Sequence, residues 1–132
     1  MSAVMHQHPQ YQEPQPWITD IYKKRLAMML VCGNAGLFRF DAIDWLNANW
    51  HVYERFEEEA DRIWGRGRTH YSHRTIWEYL RHETLLKEAD NELDFKLNDH
   101  YTKDCARLYV LLHPGRPDFF EFRSGSSAVR AL

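Results

Sequence analysis

Apolar residues at positions 43, 46, 50, 53, 56, 60 and 63, with Trp64 beside the last, recur at steps of three and four. That spacing is the strongest helical signal in the chain. Asp41 stands where an N-cap belongs, Asp44 where the helix dipole favours a carboxylate, and Gly65 and Gly67 end the pattern. The stretch reads either as one helix to Trp64 or as a short and a long helix broken near residues 47–49. Upstream, Thr19 is an N-cap with Asp20 behind it; Ile18, Ile21, Tyr22, Met29 and Leu30 can share one face, and Gly33 stops the helix. Downstream, Ser72 caps a helix over about residues 73–88, with Ile76, Trp77 and Leu80 facing inward. Residues 102–113 form the last helical stretch, with Ala106, Tyr109, Val110 and Leu112 available for burial, and Pro114-Gly115-Arg116-Pro117 ends it.

Two short segments alternate instead. Phe95-Lys96-Leu97, broken by Asn98-Asp99, and residues 119–123 (FFEFR) both read as strands. The expected fold is α+β and predominantly helical: four to five helices with a short C-terminal two-stranded antiparallel ribbon. A ribbon of that size is marginal unless a helix covers it. Residues 1–16 hold three of the five prolines, four glutamines and almost no aliphatics, so they read as a disordered arm. Residues 124–132 read as a flexible tail, which leaves residues 17–123 as one compact domain without internal repeats.

Composition narrows the classes. Nowhere do about 18 apolar residues follow one another, as a bilayer crossing needs; the longest apolar run, residues 26–32, follows Lys23, Lys24 and Arg25. The chain opens without a signal-peptide pattern, and its two cysteines, Cys32 and Cys105, fit a reducing compartment. A cytoplasmic protein with no membrane partner is expected. Trp, Tyr and Phe number 5, 7 and 7, and the series Trp45, Trp50, Tyr53, Phe56 and Trp64 is read as core rather than as a platform for stacking bases. On the closing strand, Phe119, Phe120 and Phe122 point to both faces, one of which is a candidate protein interface; a homodimer stays open.

Charge changes the picture more. The total is 17 Lys and Arg against 19 Asp and Glu, a net charge of −2. Yet the acidic Glu54, Glu57, Glu58, Glu59 and Asp61 immediately precede a basic block of Arg62, Arg66, Arg68, His70, His73, Arg74 and Arg81, interrupted only by Glu78. Gly65 and Gly67 flank Arg66, and the turn delivers its arginines to the start of the Ser72-capped helix, where guanidinium forks and free amides favour phosphates. A helix, a basic turn and a second helix resemble the way helix-turn-helix proteins approach a duplex. The competing reading has these arginines solvated, or paired with Glu54, Glu57, Glu58 and Glu59.

Motifs for chemistry are absent. His6-x-His8, His70-x-x-His73 and His82-Glu83 lack the further ligands a zinc site requires, so no metal is expected. There is no Walker loop, nucleophile elbow or dinucleotide fingerprint, and Glu78, Arg81, His82 and Glu83 make no converging carboxylate set. Neither a catalytic residue nor a cofactor is assigned, and a non-enzymatic binding protein is expected.

The run GRGRTHYSHRTIWEYLRHET, followed by FKLND, ARLYVLLHP and FFEFR, resembles a family of small phage and prophage accessory proteins across about residues 45–123. The densest matches are Gly67, Arg68, Tyr71, Ser72, Ile76, Leu80, Arg81, Phe95, Lys96, Asn98, Ala106, Arg107 and Leu108; members usually carry Asn-Asn where this chain has Asn98-Asp99. The resemblance implies a compact helical or winged-helix-like domain in the cytoplasm of a bacterial host, without catalytic residues to carry over. Two functions suit it. In the leading one, Arg66, Arg68, His70, His73, Arg74 and Arg81 contact DNA or RNA, with Lys96 as a wing contact. In the alternative, an anti-CRISPR-like anti-defence inhibitor presents Glu54, Glu57, Glu58, Glu59 and Asp61 to a host nuclease or surveillance complex, mimicking nucleic acid.

Overall fold

Helix α5, Thr102–Leu112, is the axis of the structure: every residue from Thr102 to Val110 except Lys103 is buried. Around it a computed structural model, which describes residues 16–87 and 99–122, arranges α1 (Pro16–Gly33), α2 (Ala42–Ala48), α3 (Trp50–Gly65) and α4 (His73–Lys87). Short 3-10 turns at Ala35–Leu37 and Asp99–Tyr101 complete the described elements. The central helix packs on α1, α3 and α4, while α2 bridges α1 and α3.

Local chemistry explains the boundaries. The break near residues 47–49 falls at Asn49, whose backbone N–H and side-chain amide both donate to Trp45 O, at 2.8 and 3.0 Å. Those two bonds close α2, and Asn49 O then accepts Val52 N–H to open α3. At the far end of α3, Gly67 takes φ +93° while donating to Trp64 O, a left-handed turn that a side chain would strain. Ser72 caps α4 as expected, its Oγ accepting Thr75 N–H at 3.2 Å. Asp41 does not cap α2. It accepts the Tyr101 hydroxyl at 2.8 Å, tying the loop before α2 to the turn before α5, and Trp45 stacks on the same tyrosine ring at 4.5 Å.

The core is aromatic. Phe56 is fully buried among Tyr53, Trp77 and Phe120, whose ring centroids lie 5.6–6.4 Å away. Trp45, Trp50 and Tyr53 are buried as well, in keeping with a packing role. On α1 the buried residues are Ala27, Leu30 and Val31, whereas Ile21, Tyr22, Leu26 and Met29 face outward. Of the expected face, Ile21, Tyr22 and Met29 are thus outside and Leu30 inside, and the helix begins at Pro16 rather than at a Thr19 cap. Apolar residues surround this helix, so no single stripe marked its inner side.

The α+β expectation is overturned. Helix makes up 74% of the structure, and no β-strand occurs among the described residues, so there is no two-stranded ribbon or winged-helix sheet. Residues 119–122 make one isolated parallel bridge, Tyr71 to Phe120, with Tyr71 N–H donating to Phe119 O at 2.9 Å. The alternation in FFEFR was misleading because Phe119 and Phe120 are both buried. Phe119 meets Trp64 edge-on at 5.5 Å and Phe120 meets Phe56, whereas a pleated strand sends neighbours to opposite faces. The expected partner strand, residues 95–97, lies outside the described residues, as do the tail and residues 1–15 of the arm expected over 1–16, whose last residue, Pro16, opens α1 instead.

α5 also buries charge. Asp104 and Arg107 are 2% and 6% exposed. Asp104 accepts Arg39 N–H at 3.2 Å and Arg107 donates to Leu37 O, yet Asp104 Oδ2 and Arg107 Nε have no partner among the described residues. Burial pushes the Asp104 carboxyl up to about 6. The folded protein therefore binds a proton there more tightly than the unfolded chain, and this group's contribution to stability declines as pH rises from about 4 through about 6. Asp104→Asn keeps the acceptor for Arg39, so its stability relative to wild type should improve between pH 4.5 and 7.5 in urea titrations. Phe56→Ala should cost about 3–5 kcal/mol in the same assay, as expected for a large core ring that leaves a cavity.

Candidate anion-binding cavity

The turn of residues 66–72 between α3 and α4 is longer than the three or four residues of a helix-turn-helix connection. It holds Arg66 and Arg68 in solvent. Their side chains, like that of Arg74 one turn on, make no hydrogen bond or ion pair among the described residues. Beyond this turn, the start of α4 meets the 3-10 turn Asp99–Tyr101 and the start of α5 around a cavity of about 630 Å3. His70, His73 and Arg74 line one side, and His100 and Lys103 line the other. The rings of Tyr71 and Phe122 and the carboxylates of Asp99 and Glu121 complete the wall.

Two of the histidines are fixed in orientation. The Thr102 hydroxyl donates to His73 O at 3.3 Å, so the same oxygen must accept from His73 Nδ1–H at 3.0 Å. That assigns the tautomer and leaves the His73 Nε2 lone pair free of its proton. His70 Nδ1–H donates to Asp118 O at 2.9 Å, and its Nε2 lies 3.7 Å from Glu121. Burial, followed by the charges of Arg74, Lys103 and Arg107, lowers His73 to about 4. The imidazole is thus neutral at pH 7 and reports a positive field. Phe122 stacks on His73 with centroids 6.0 Å apart, and the Arg107 guanidinium lies 5.2 Å from that phenyl ring.

Of the residues singled out for nucleic acid, His70, His73 and Arg74 converge on the cavity, while Arg66 and Arg68 stand on the neighbouring turn. Arg81 is not among the lining residues but pairs with Asp99 of the cavity wall at 2.9 Å and with Glu78 at 3.8 Å. Lys96 lies outside the described residues. His100, Lys103 and Arg107 were missed. They follow Arg81, the end of the basic block, by 19, 22 and 26 residues, and only the packing of α5 on α4 brings them there.

The acidic block has a different fate. Glu57, 4% exposed, accepts from Lys23 and from His113 Nε2 at 2.9 Å, with the Tyr53 hydroxyl at 3.4 Å. Arg55 pairs with Glu58 and reaches Glu83 at 2.6 Å, and Arg62 pairs with Glu59. Asp61 accepts the Tyr109 hydroxyl at 2.7 Å and Arg116 at 2.8 Å, and that guanidinium lies 4.7 Å from the Trp64 ring centroid. Glu54 alone of the five has no hydrogen-bond or ion-pair partner among the described residues. It borders a shallower cavity of about 520 Å3 that also exposes Lys23, His51 and Arg55. The acids are therefore neutralised mostly by cations other than the basic block; Arg62 is the one member that turns back to them.

The cavity's cations and fixed imidazoles can hold an anion. Among the described residues, no group of three or more His, Cys, Asp or Glu is placed to hold a metal ion, and no helix is long and apolar enough to cross a membrane. No family model, curated protein or solved structure matches this chain.

Two measurements check this electrostatic picture. NMR titration should place His73 near 4, and its contribution to stability should fall away as pH drops from about 6.5 to about 4, because only the unfolded chain binds the proton in that window. Burial opposes the charge of Glu57, but the hydrogen bonds from His113 and Lys23 outweigh it and hold the carboxyl below its ordinary range. Its contribution is present above that range and lost as pH falls through the depressed value. Glu57→Gln should accordingly destabilise by about 1–3 kcal/mol at pH 7, and by less at pH 4.

Proposed function

We propose that this protein binds nucleic acid through the Arg66–Arg68 turn and the adjoining cavity, as a non-enzymatic accessory protein of a phage or mobile element acting in the bacterial cytoplasm. The observation that carries the reading is the contrast in pairing. Arg66, Arg68 and Arg74 have no hydrogen-bond or ion-pair partner among the described residues, whereas Glu57, Glu58, Glu59 and Asp61 are paired within the chain. Cations held unpaired beside a concave, positively biased surface meet the needs of phosphate recognition, in which guanidinium forks exchange counterions for phosphate oxygens.

The same contrast counts against an inhibitor that mimics nucleic acid with its acidic face. Carboxylates bound to Lys23, Arg55, Arg62 and Arg116 offer little free negative charge to a partner's arginines. Such a partner would have to break those pairs first.

A mobility-shift series with duplex and single-stranded DNA and RNA tests the proposal. Binding should weaken steeply between 50 and 200 mM salt, and the triple variant Arg66→Ala, Arg68→Ala, Arg74→Ala should lower the salt slope by about 2–3. No binding at low salt, or an unchanged slope in the triple variant, overturns it. A pulldown that recovers a host nuclease or surveillance complex through Glu54 and Glu58, with no nucleic-acid binding, would favour the inhibitor.

A further inference from the structure

Resting on the nucleic-acid reading, we infer that the cavity between α4 and α5 takes the terminal phosphate monoester of a strand, with its nucleotide against Tyr71 and Phe122, while Arg66 and Arg68 hold the backbone behind it.

Shape is the first argument. A surface that follows a backbone is a stripe or groove of cations, whereas here Arg74 and Lys103 line a pit of about 630 Å3 whose wall also carries Asp99 and Glu121. That volume lies within the range of small-ligand sites. Arg66 and Arg68 stand apart from it on the exposed turn.

Charge is the second. Arg74 and Lys103 face the pit without carboxylate partners among the described residues, and Arg107 lies 5.2 Å from the Phe122 ring. The two carboxylates of the wall are spread across different elements: Asp99, held by Arg81, before α5, and Glu121, beside His70, after it. A continuous strand laid across the pit would run against both. A chain end needs to reach only Arg74 and Lys103, and its monoester, with roughly 1.5–2 negative charges rather than the single charge of a diester, is drawn more strongly by those two cations.

Stacking is the third. Phe122 is already stacked with His73 and flanked by Arg107, so its orientation is fixed before a ligand arrives, and Tyr71 is held by its backbone bond to Phe119. A pre-formed ring beside a phosphate pocket suits a base joined directly to that phosphate. The cations that surround His73 are those an entering anion would neutralise: Arg74 on α4, and Lys103 and Arg107 on α5. Occupancy should therefore raise the imidazole's pH midpoint.

The test compares one oligonucleotide with a 5′-phosphate, a 3′-phosphate or hydroxyls at both ends, with adenosine 5′-monophosphate and inorganic phosphate as competitors. The full chain is used throughout, with binding read by fluorescence anisotropy. One phosphorylated end should bind about tenfold tighter or more than the hydroxyl form, the worth of one charge-assisted hydrogen bond. Arg74→Ala with Lys103→Ala, both exposed positions, should erase that ratio, and Lys103→Gln should reduce it. Arg66→Ala with Arg68→Ala should weaken all three forms alike and preserve it. His73 should titrate higher with the preferred end bound. The nucleoside monophosphate should compete better than inorganic phosphate if the ring contributes. Equal affinity for all three ends overturns the inference while leaving nucleic-acid binding intact. Failure of every oligonucleotide to bind overturns the broader proposal as well, and a His73 shift with inorganic phosphate alone, without oligonucleotide binding, removes the strand end from the assignment.

Discussion

Everything in this structure is arranged around a helix with almost no exposed side. Residues 102–110 of α5 lie within the fold apart from Lys103, so α1, α3 and α4 have to cover it on different faces. That constraint sets the rest. It places Tyr109 against Phe119 and Phe120, directs the Tyr109 hydroxyl to Asp61, and brings His113 to Glu57. It also puts the first turn of α5 beside the first turn of α4, where Thr102 and His73 lock together. The cavity exists because two helix beginnings are held side by side by one buried axis.

The same axis sorts the charges. The acidic block lies on α3 next to elements that carry Lys23, Arg116 and His113, so it is used to fasten the helices to one another. Buried or half-buried pairs of this kind hold because each carboxylate gains hydrogen bonds that offset its lost hydration. Within the basic block, Arg62 turns back to Glu59 and Arg81 pairs with Asp99, whereas Arg66 and Arg68 stand on the turn that leaves α3 and remain in water. A protein with a net charge of −2 thereby keeps Arg66 and Arg68 exposed together on one turn. Total charge described the sum, and the pairing decides which sign a partner meets.

Much of the helical architecture was readable beforehand. The steps of three and four in residues 43–64, the Ser72 cap and the proline-rich stop after residue 113 all mark elements that formed. Asn49 shows the limit of that reading: a break near residues 47–49 was one of two options, and the double donation to Trp45 O selects it. The strand at residues 119–123 failed for a clear reason. Alternation of type assumes that neighbours face opposite ways, and the chain instead turns both Phe119 and Phe120 into the aromatic core. For the site, the basic block was legible as a local density of arginine and histidine. Lys103, Arg107 and His100 were not, since nothing local links them to residues 66–74.

The sequence by itself determined where α1 and α3 end and α4 begins, the aromatic core of α2 and α3, and the separation of acidic from basic residues, because capping, periodicity and charge density act over a few neighbours. Tertiary structure alone decided which charges stay free and where they gather. Pairing and cavity formation depend on contacts between residues 29 to 65 positions apart, such as His73 with Thr102 and Arg39 with Asp104. Those contacts exist only once α5 has been buried, and a local pattern carries no record of that event.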